Sequence, residues 1–226
     1  MASRMKSPDS IQGVAEHQLC AGCGACAVAQ PGEIRMVDDL NTGRRPVVKD
    51  GASTERALRA CPGVELSHDR SSWSAGWDPV LADEWGPVLA VWEGYASDEV
   101  IRFRGSSGGA ATALSLWSLE TGQAEAVVHT AARPEALEFN DAVLSRSRSD
   151  LLERTGSRYA PASPCEGISD VTGSFTLVGK PCDVAGGRKL EDHGLLPHNA
   201  KMGLSIAIFC AGAPSTRATL DYLGGQ

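Results

Sequence analysis

The chain has 226 residues, a net charge of -7, 42% hydrophobic and 22% charged residues. That length supports one sizeable core and a small extra module. The negative charge argues against broad nucleic-acid binding, no apolar run approaches the length of a membrane span, and the basic start lacks the apolar stretch of a secretory signal.

Residues 1–18 read as a flexible lead-in and 19–66 as a cysteine-bearing module. Cys20, Cys23 and Cys26 fall in C-A-G-C-G-A-C, and Cys61 follows in a Cys-Pro-Gly unit. Two-residue gaps let thiolates of one loop converge on an inorganic centre, and small residues leave room for sulfide. Zinc is the competing centre, but its sites usually draw on two separated knuckles or add histidine. The spacing therefore favours a [4Fe-4S] cluster held by Cys20, Cys23, Cys26 and Cys61, with Cys165 or Cys182 as alternative fourth ligands. Seven cysteines, an odd number, fit a disulfide framework poorly and suit a reducing cytoplasm. His17 and His68 read as surface side chains.

Within this module 33–37 and 46–48 read as strands around a turn at 38–43. Residues 53–60 read as a short helix with Ser53 as cap and Leu58 inward, bringing Cys61 back toward the triplet. Residues 67–87 form a connector whose Trp73, Trp77 and Trp85 are expected to pack it against the main domain.

From residue 88 to 226 strands and helices alternate, which predicts an α/β fold with a mixed or mostly parallel sheet and flanking helices. Strands are expected at 88–92, 100–103, 126–130, 175–178 and 204–209, and helices at 110–120, 150–154, 184–190 and 215–223. In the first of these helices Ala110, Ala113, Leu114 and Trp117 share the face expected to pack inward. The chain stops directly after the last helix, so part of the catalytic unit is expected to be missing or supplied by a partner.

The turn Gly105-Ser-Ser-Gly-Gly109 precedes a helix, so its amides and the hydroxyls of Ser106, Ser107 and Thr112 can cradle an anion. It is neither a Walker motif nor a dinucleotide fingerprint, and an ordinary capped turn is the plain alternative. Beside a redox cluster a flavin phosphate makes chemical sense there, because flavin converts hydride chemistry into single-electron steps. Cys182 follows Gly179-Lys180-Pro181 at the carboxyl end of a strand, where α/β folds place their sites. Lys180 and the helix start are expected to lower its pKa, making Lys180 and Cys182 the catalytic candidates. Gly156-Ser157-Arg158-Tyr159 adds a cation and a phenol, Cys165 stays ambiguous, and Cys210 reads as a packing residue.

Taken in order, the cysteine triplet with Cys61-Pro62, Gly105–Gly109, Gly156–Tyr159 and Gly179–Cys182 resemble the beta-subunit family of coenzyme F420 hydrogenases and dehydrogenases. The resemblance implies an FAD-bearing iron-sulfur oxidoreductase that moves electrons between F420, ferredoxin or another carrier and a substrate or partner subunit. By that resemblance Ser106, Ser107, Gly108, Gly109, Thr112, Ser157, Arg158, Tyr159 and Lys180 lie around FAD, and the four cysteines hold the cluster. The rival expectation is a non-catalytic metal- or cluster-bearing subunit of a larger complex, and a weaker third is a thiol-redox enzyme using Cys182.

Overall fold

The computed structural model describes residues 8–67 and 76–224. Residues 1–7, His68 and Trp73 therefore lie outside the described residues. Two of the expected strands have no polar alternation, and the structure shows why. Val128, Phe175 and Leu177 pack into one cluster, while Val127 packs into another with Ile101, Leu116 and Leu151. A strand covered on both faces reads as a continuous apolar run.

These residues belong to β3 (Ala126–Arg133) and β5 (Ser174–Gly179). With β4 (Ala136–Ser145) and β6 (Lys201–Ala207) they form a four-stranded sheet ordered β4-β3-β5-β6. β3 pairs antiparallel with β4 and parallel with β5, and β5 pairs parallel with β6. The sheet is mixed and carries helices on its faces, as the alternation of elements predicts.

One face is covered by α5 (Glu99–Arg104), α6 (Ala110–Glu120) and α7 (Arg148–Glu153). The other carries α8 (Pro181–Asp192), a 3-10 turn at Pro164–Asp170, and α2 (Ala25–Ala29). The N-terminal part adds α1 (Ile11–Glu16), a hairpin of β1 (Ile34–Asp39) and β2 (Gly43–Val48), and α3 (Glu55–Ala60). Two short helices, α4 (Ala82–Trp85) and α9 (Thr216–Gly224), and a 3-10 turn at Ser107–Gly109 complete the described elements.

No discrete cysteine-rich module is resolved, which corrects that part of the expected architecture. Cys23, Ala25, Val28, Ala29 and Ala60 belong to the same buried cluster as Phe175, Leu177 and Leu190. Small side chains on α2 let it approach the sheet domain closely, so the cysteine loop shares the main core. A polar clamp reinforces the join. Arg44 on β2 pairs with Asp38 at 3.1 Å and with Glu166, and its Nε donates to Ser163 Oγ at 3.2 Å. Ser163 Oγ donates in turn to the carbonyl of Gly22 at 2.6 Å.

Several local expectations are also corrected. Residues 100–103 are helical, because the Asp98 carboxylate accepts from the amides of Val100 and Ile101 at 2.9 and 3.0 Å and caps α5. Residues 88–92 form no strand: the Val88 carbonyl accepts from Asp78 at 2.7 Å, and Leu89 to Trp92 are exposed. α3 starts at Glu55 with Thr54 instead of Ser53 at its N-cap, and Leu58 is half-buried. Trp85 meets the Phe209 ring edge-on at 6.3 Å but stays 64% exposed.

α6 is rotated relative to the expected face. Ser115, Leu116 and Ser118 are buried, whereas Ala110, Leu114 and Trp117 are exposed. The two serines are tolerated because Ser115 Oγ donates to Ala111 O at 2.8 Å and Ser118 Oγ to Ser115 O at 2.7 Å. Thr176 Oγ1 on β5 then donates to Ser118 Oγ at 2.8 Å, so the interface of helix and sheet is satisfied.

Candidate functional site

The sequence motifs gather into two separate loci. At the first, Cys20, Cys23, Cys26 and Cys61 all line one cavity of about 20 Å³, walled also by Val14, Met36 and Pro46. Cys26 and Cys61 reach it from α2 and from the end of α3, and Cys26 Sγ touches Met36 Sδ at 3.8 Å. The expected delivery of Cys61 toward the triplet is therefore present.

The thiols sit in an apolar setting that opposes ionisation. Burial pushes Cys20 up, and it pushes Cys26 well up with help from the neighbouring cysteines. Cys61 is pushed up to about 11 by burial and by Cys23. Cys23 behaves oppositely: the neighbouring Cys165 thiol lowers its pKa, outweighing burial, and the same proximity raises Cys165, whose Sγ donates to the Asp183 carbonyl at 3.2 Å.

The expectation of a [4Fe-4S] cluster and FAD, with F420 as a possible carrier, is corrected by this geometry. Among the described residues no group of three or more His, Cys, Asp or Glu side chains could hold a metal ion. Nor do the described residues include an aromatic cluster of the kind that lines a flavin pocket. The thiols share a wall without converging, and the space between them is little more than one water requires.

The second locus is the glycine-rich turn. Ser107, Gly108 and Gly109 have φ of 50°, 69° and 74°, a left-handed run that leads directly into α6. Glycine is needed at 109 for space as well as φ, since a Cβ there would lie 2.7 Å from the Ile101 carbonyl oxygen. Ser106 and Ser107 are exposed, and Thr112 is half-buried on the first turn of α6. Ser106 Oγ accepts from the backbone N–H of Ser157 at 2.9 Å. Two motif blocks far apart in sequence are thereby joined at one exposed place.

Arg158 is exposed but committed to β4, where its Nε donates to Asn140 Oδ1 at 2.9 Å and its Nη2 to the Leu137 carbonyl. Tyr159 is 77% exposed. Arg102 stacks over the Tyr95 ring at 5.0 Å, and a Cβ on Gly108 would lie 2.8 Å from Tyr95 Cβ, so the turn has an aromatic and a cation beside it.

Lys180 and Cys182 stand at the carboxyl end of β5, at the start of α8. Lys180 Nζ donates to Asp183 Oδ2 at 2.7 Å. Burial works against the ammonium, yet the Asp183 carboxylate more than offsets it and raises the lysine pKa. Burial also raises Asp183, only partly countered by Lys180. The expected lowering of Cys182 does not occur: burial and the Asp183 charge push it up to about 11 against the pull of Lys180. Asp183 is the residue that sequence reasoning missed here. Its position three after Lys180, in the first turn of a helix, was the available signal.

The comparisons with known proteins fit the second locus. Residues 91–168 match the family described as coenzyme F420 hydrogenase/dehydrogenase, beta subunit N-term. No curated protein matches the chain. Among solved structures, a chain of the F420-reducing [NiFe] hydrogenase complex from Methanosarcina barkeri is similar, with a TM-score of 0.53 and 20% identity. The match covers 57% of this chain and 46% of that one, so this chain spans less than half of that relative, and the likeness shows a shared fold. No helix among the described residues is long and apolar enough to cross a membrane. Residues 91–168 are thus similar to the N-terminal domain of F420 hydrogenase/dehydrogenase beta subunits, about a third of the chain.

Proposed function

We propose that this chain is an oxidoreductase subunit that moves electrons between a low-potential carrier and a substrate or partner subunit. The observation that supports it best is the Ser157-to-Ser106 hydrogen bond, which joins two family motifs inside the matched segment around an exposed turn. In this reading the amides of Ser107 and Gly108 and the hydroxyls of Ser106 and Thr112 receive an anionic group at the start of α6, while the Gly109 amide closes the turn by donating to the Ser106 carbonyl at 2.9 Å. Ser157, Arg158 and Tyr159 flank that group.

Lys180 and Cys182 are the candidates for the reacting end. Their roles follow from their protonation at neutral pH: Lys180 is a cation held by Asp183, and Cys182 is a neutral thiol able to give a proton. The test is the protein purified from its native cell, assayed for oxidation of reduced ferredoxin and of reduced F420. Ser106→Ala is expected to raise the KM for the productive carrier about tenfold, the loss of one hydrogen bond to a charged group. Activity with neither carrier, or an unchanged KM, would sink the reading.

A second reading, a subunit that docks without turnover, draws support from Trp92, Phe103 and Phe209, which are 89%, 92% and 88% exposed. It predicts recovery in a complex with partner subunits and no oxidation of either carrier.

A further inference from the structure

A cleft of about 380 Å³ opens between α5, α6 and α7, a volume that suits a small molecule. Ile101 and Leu116, both buried, form its apolar floor, and the Trp117 ring, 45% exposed, walls it. Asp98, Glu120 and Arg148 supply its charges, and Ser97 a hydroxyl. The cleft runs toward the C-terminal end of α6, whereas the glycine-rich turn stands at the N-terminal end.

The charges of the cleft do not cancel. Arg148 Nη2 donates to Asp98 Oδ2 at 2.5 Å, and Asp98 Oδ1 accepts from the amides of Val100 and Ile101. Both members of that pair are therefore committed. Glu120 is not: among the described residues no side chain forms a hydrogen bond or ion pair with it. Glu120 also ends α6, whose last turn holds no basic residue, so its carboxylate adds to the negative end of the helix. Trp117 stands three residues before it on the same helix face, and among the described residues no cation stacks over its ring. An anion would meet Glu120 and an arginine already paired. A bare metal ion would find too few ligands, since no group of three or more His, Cys, Asp or Glu is present among the described residues.

We propose that this cleft binds a small organic cation, an ammonium or quaternary ammonium group carried on an apolar body. The charged head lies between the Trp117 ring and the Glu120 carboxylate, and the body covers Ile101 and Leu116. The negative face of an indole attracts such a head, and a weakly hydrated quaternary nitrogen gives up little water to reach it. The Asp98–Arg148 pair ties α5 to α7 across the cleft and keeps its shape when empty. The site calls on no electron carrier, so it stands whether or not the glycine-rich turn receives one.

The experiment titrates the full purified chain by calorimetry with benzyltrimethylammonium, and in parallel with neutral benzyl alcohol and anionic phenylacetate. The cation is expected to saturate one site with a Kd of about 1 mM or below. The neutral and anionic probes should bind about tenfold more weakly or not at all. Glu120→Gln should weaken the cation about fivefold by removing the charge, and Trp117→Leu should do so about fivefold while keeping an apolar wall. Both side chains are exposed, so the variants keep the fold, which an unchanged thermal melt verifies. Absence of saturation by about 10 mM overturns the proposal. So does equal or tighter binding of benzyl alcohol or phenylacetate, or a cation affinity that either variant leaves unchanged.

Discussion

The cysteine loop and the glycine-rich turn are built in opposite ways. The loop is buried, packed into the main hydrophobic cluster and clamped by Arg44 and Ser163. The turn is exposed at Ser106 and Ser107 and held across the chain by the bond from Ser157. Burial keeps most of the loop's thiols protonated, whereas the turn keeps the side chains of Ser106 and Ser107 facing solvent. The contrast teaches that the stronger motif by spacing is the quieter site electrostatically, and the weaker motif is the one open to a ligand.

The broadest way to break the contrast is to remove what both loci rest on. Phe175 is fully buried in the cluster that also holds Cys23. Phe175→Ala is expected to cost about 3–5 kcal/mol. Chemical denaturation followed by tryptophan fluorescence and by thiol labelling should give one coincident, earlier transition. Two separated transitions would mean that the cysteine loop is an independent unit after all.

Acid should next strain the sheet side. Burial, and then the nearby charge of Arg154, lower His129 on β3 to about 4, and its ring bonds to Ser145 Oγ at 2.8 Å. Its folded pKa lies below the unfolded value near 6.5, so between those values the unfolded chain binds the extra proton and stability rises with pH. Stability is thus expected to fall by about 2–3 kcal/mol as pH drops from 6.5 toward 4. His129→Gln should flatten that window in urea titrations at pH 7 and 5. An equal loss in the variant would remove His129 from the account.

A narrower change should strike the loop alone. Gly186→Ala places a methyl group 3.1 Å from Cys23 Sγ and is expected to cost about 1–2 kcal/mol despite the better helix propensity. Labelling of Cys23 should speed up while carrier binding at the turn holds. The smallest stability effect belongs to Ser106→Ala, about 0.5 kcal/mol or less, because the lost bond lies at the surface. A melting temperature lowered by many degrees would show that the turn is a structural keystone.

Much of this was legible in the residues. β3 and β5 stand out as apolar runs because both faces are covered, and the β1-β2 hairpin is announced by its turn. β4 escaped notice: Glu138, Asn140 and Asp141 dilute a strand whose place is set by pairing with β3. The helix at Glu99–Arg104 was hidden because Val100, Ile101 and Phe103 favour strands, and the Asp98 cap outweighs them. At the loci, the shared cavity of the four cysteines could be read from spacing. The Cys23–Cys165 meeting could not, since a contact between such distant positions leaves no local pattern. Cys182 was misjudged because a neighbouring cation is visible in sequence but the burial that defeats it is not.

The dependence of the cysteine loop on α8 has a consequence for the newborn chain. Cys20, Cys23 and Cys26 leave the ribosome some 160 residues ahead of the helix position, Gly186, against which Cys23 is seated. At roughly 5–20 residues per second, that interval is on the order of ten to thirty seconds. For that time Cys23 lacks the backbone of α8 that lies against its sulfur in the folded chain.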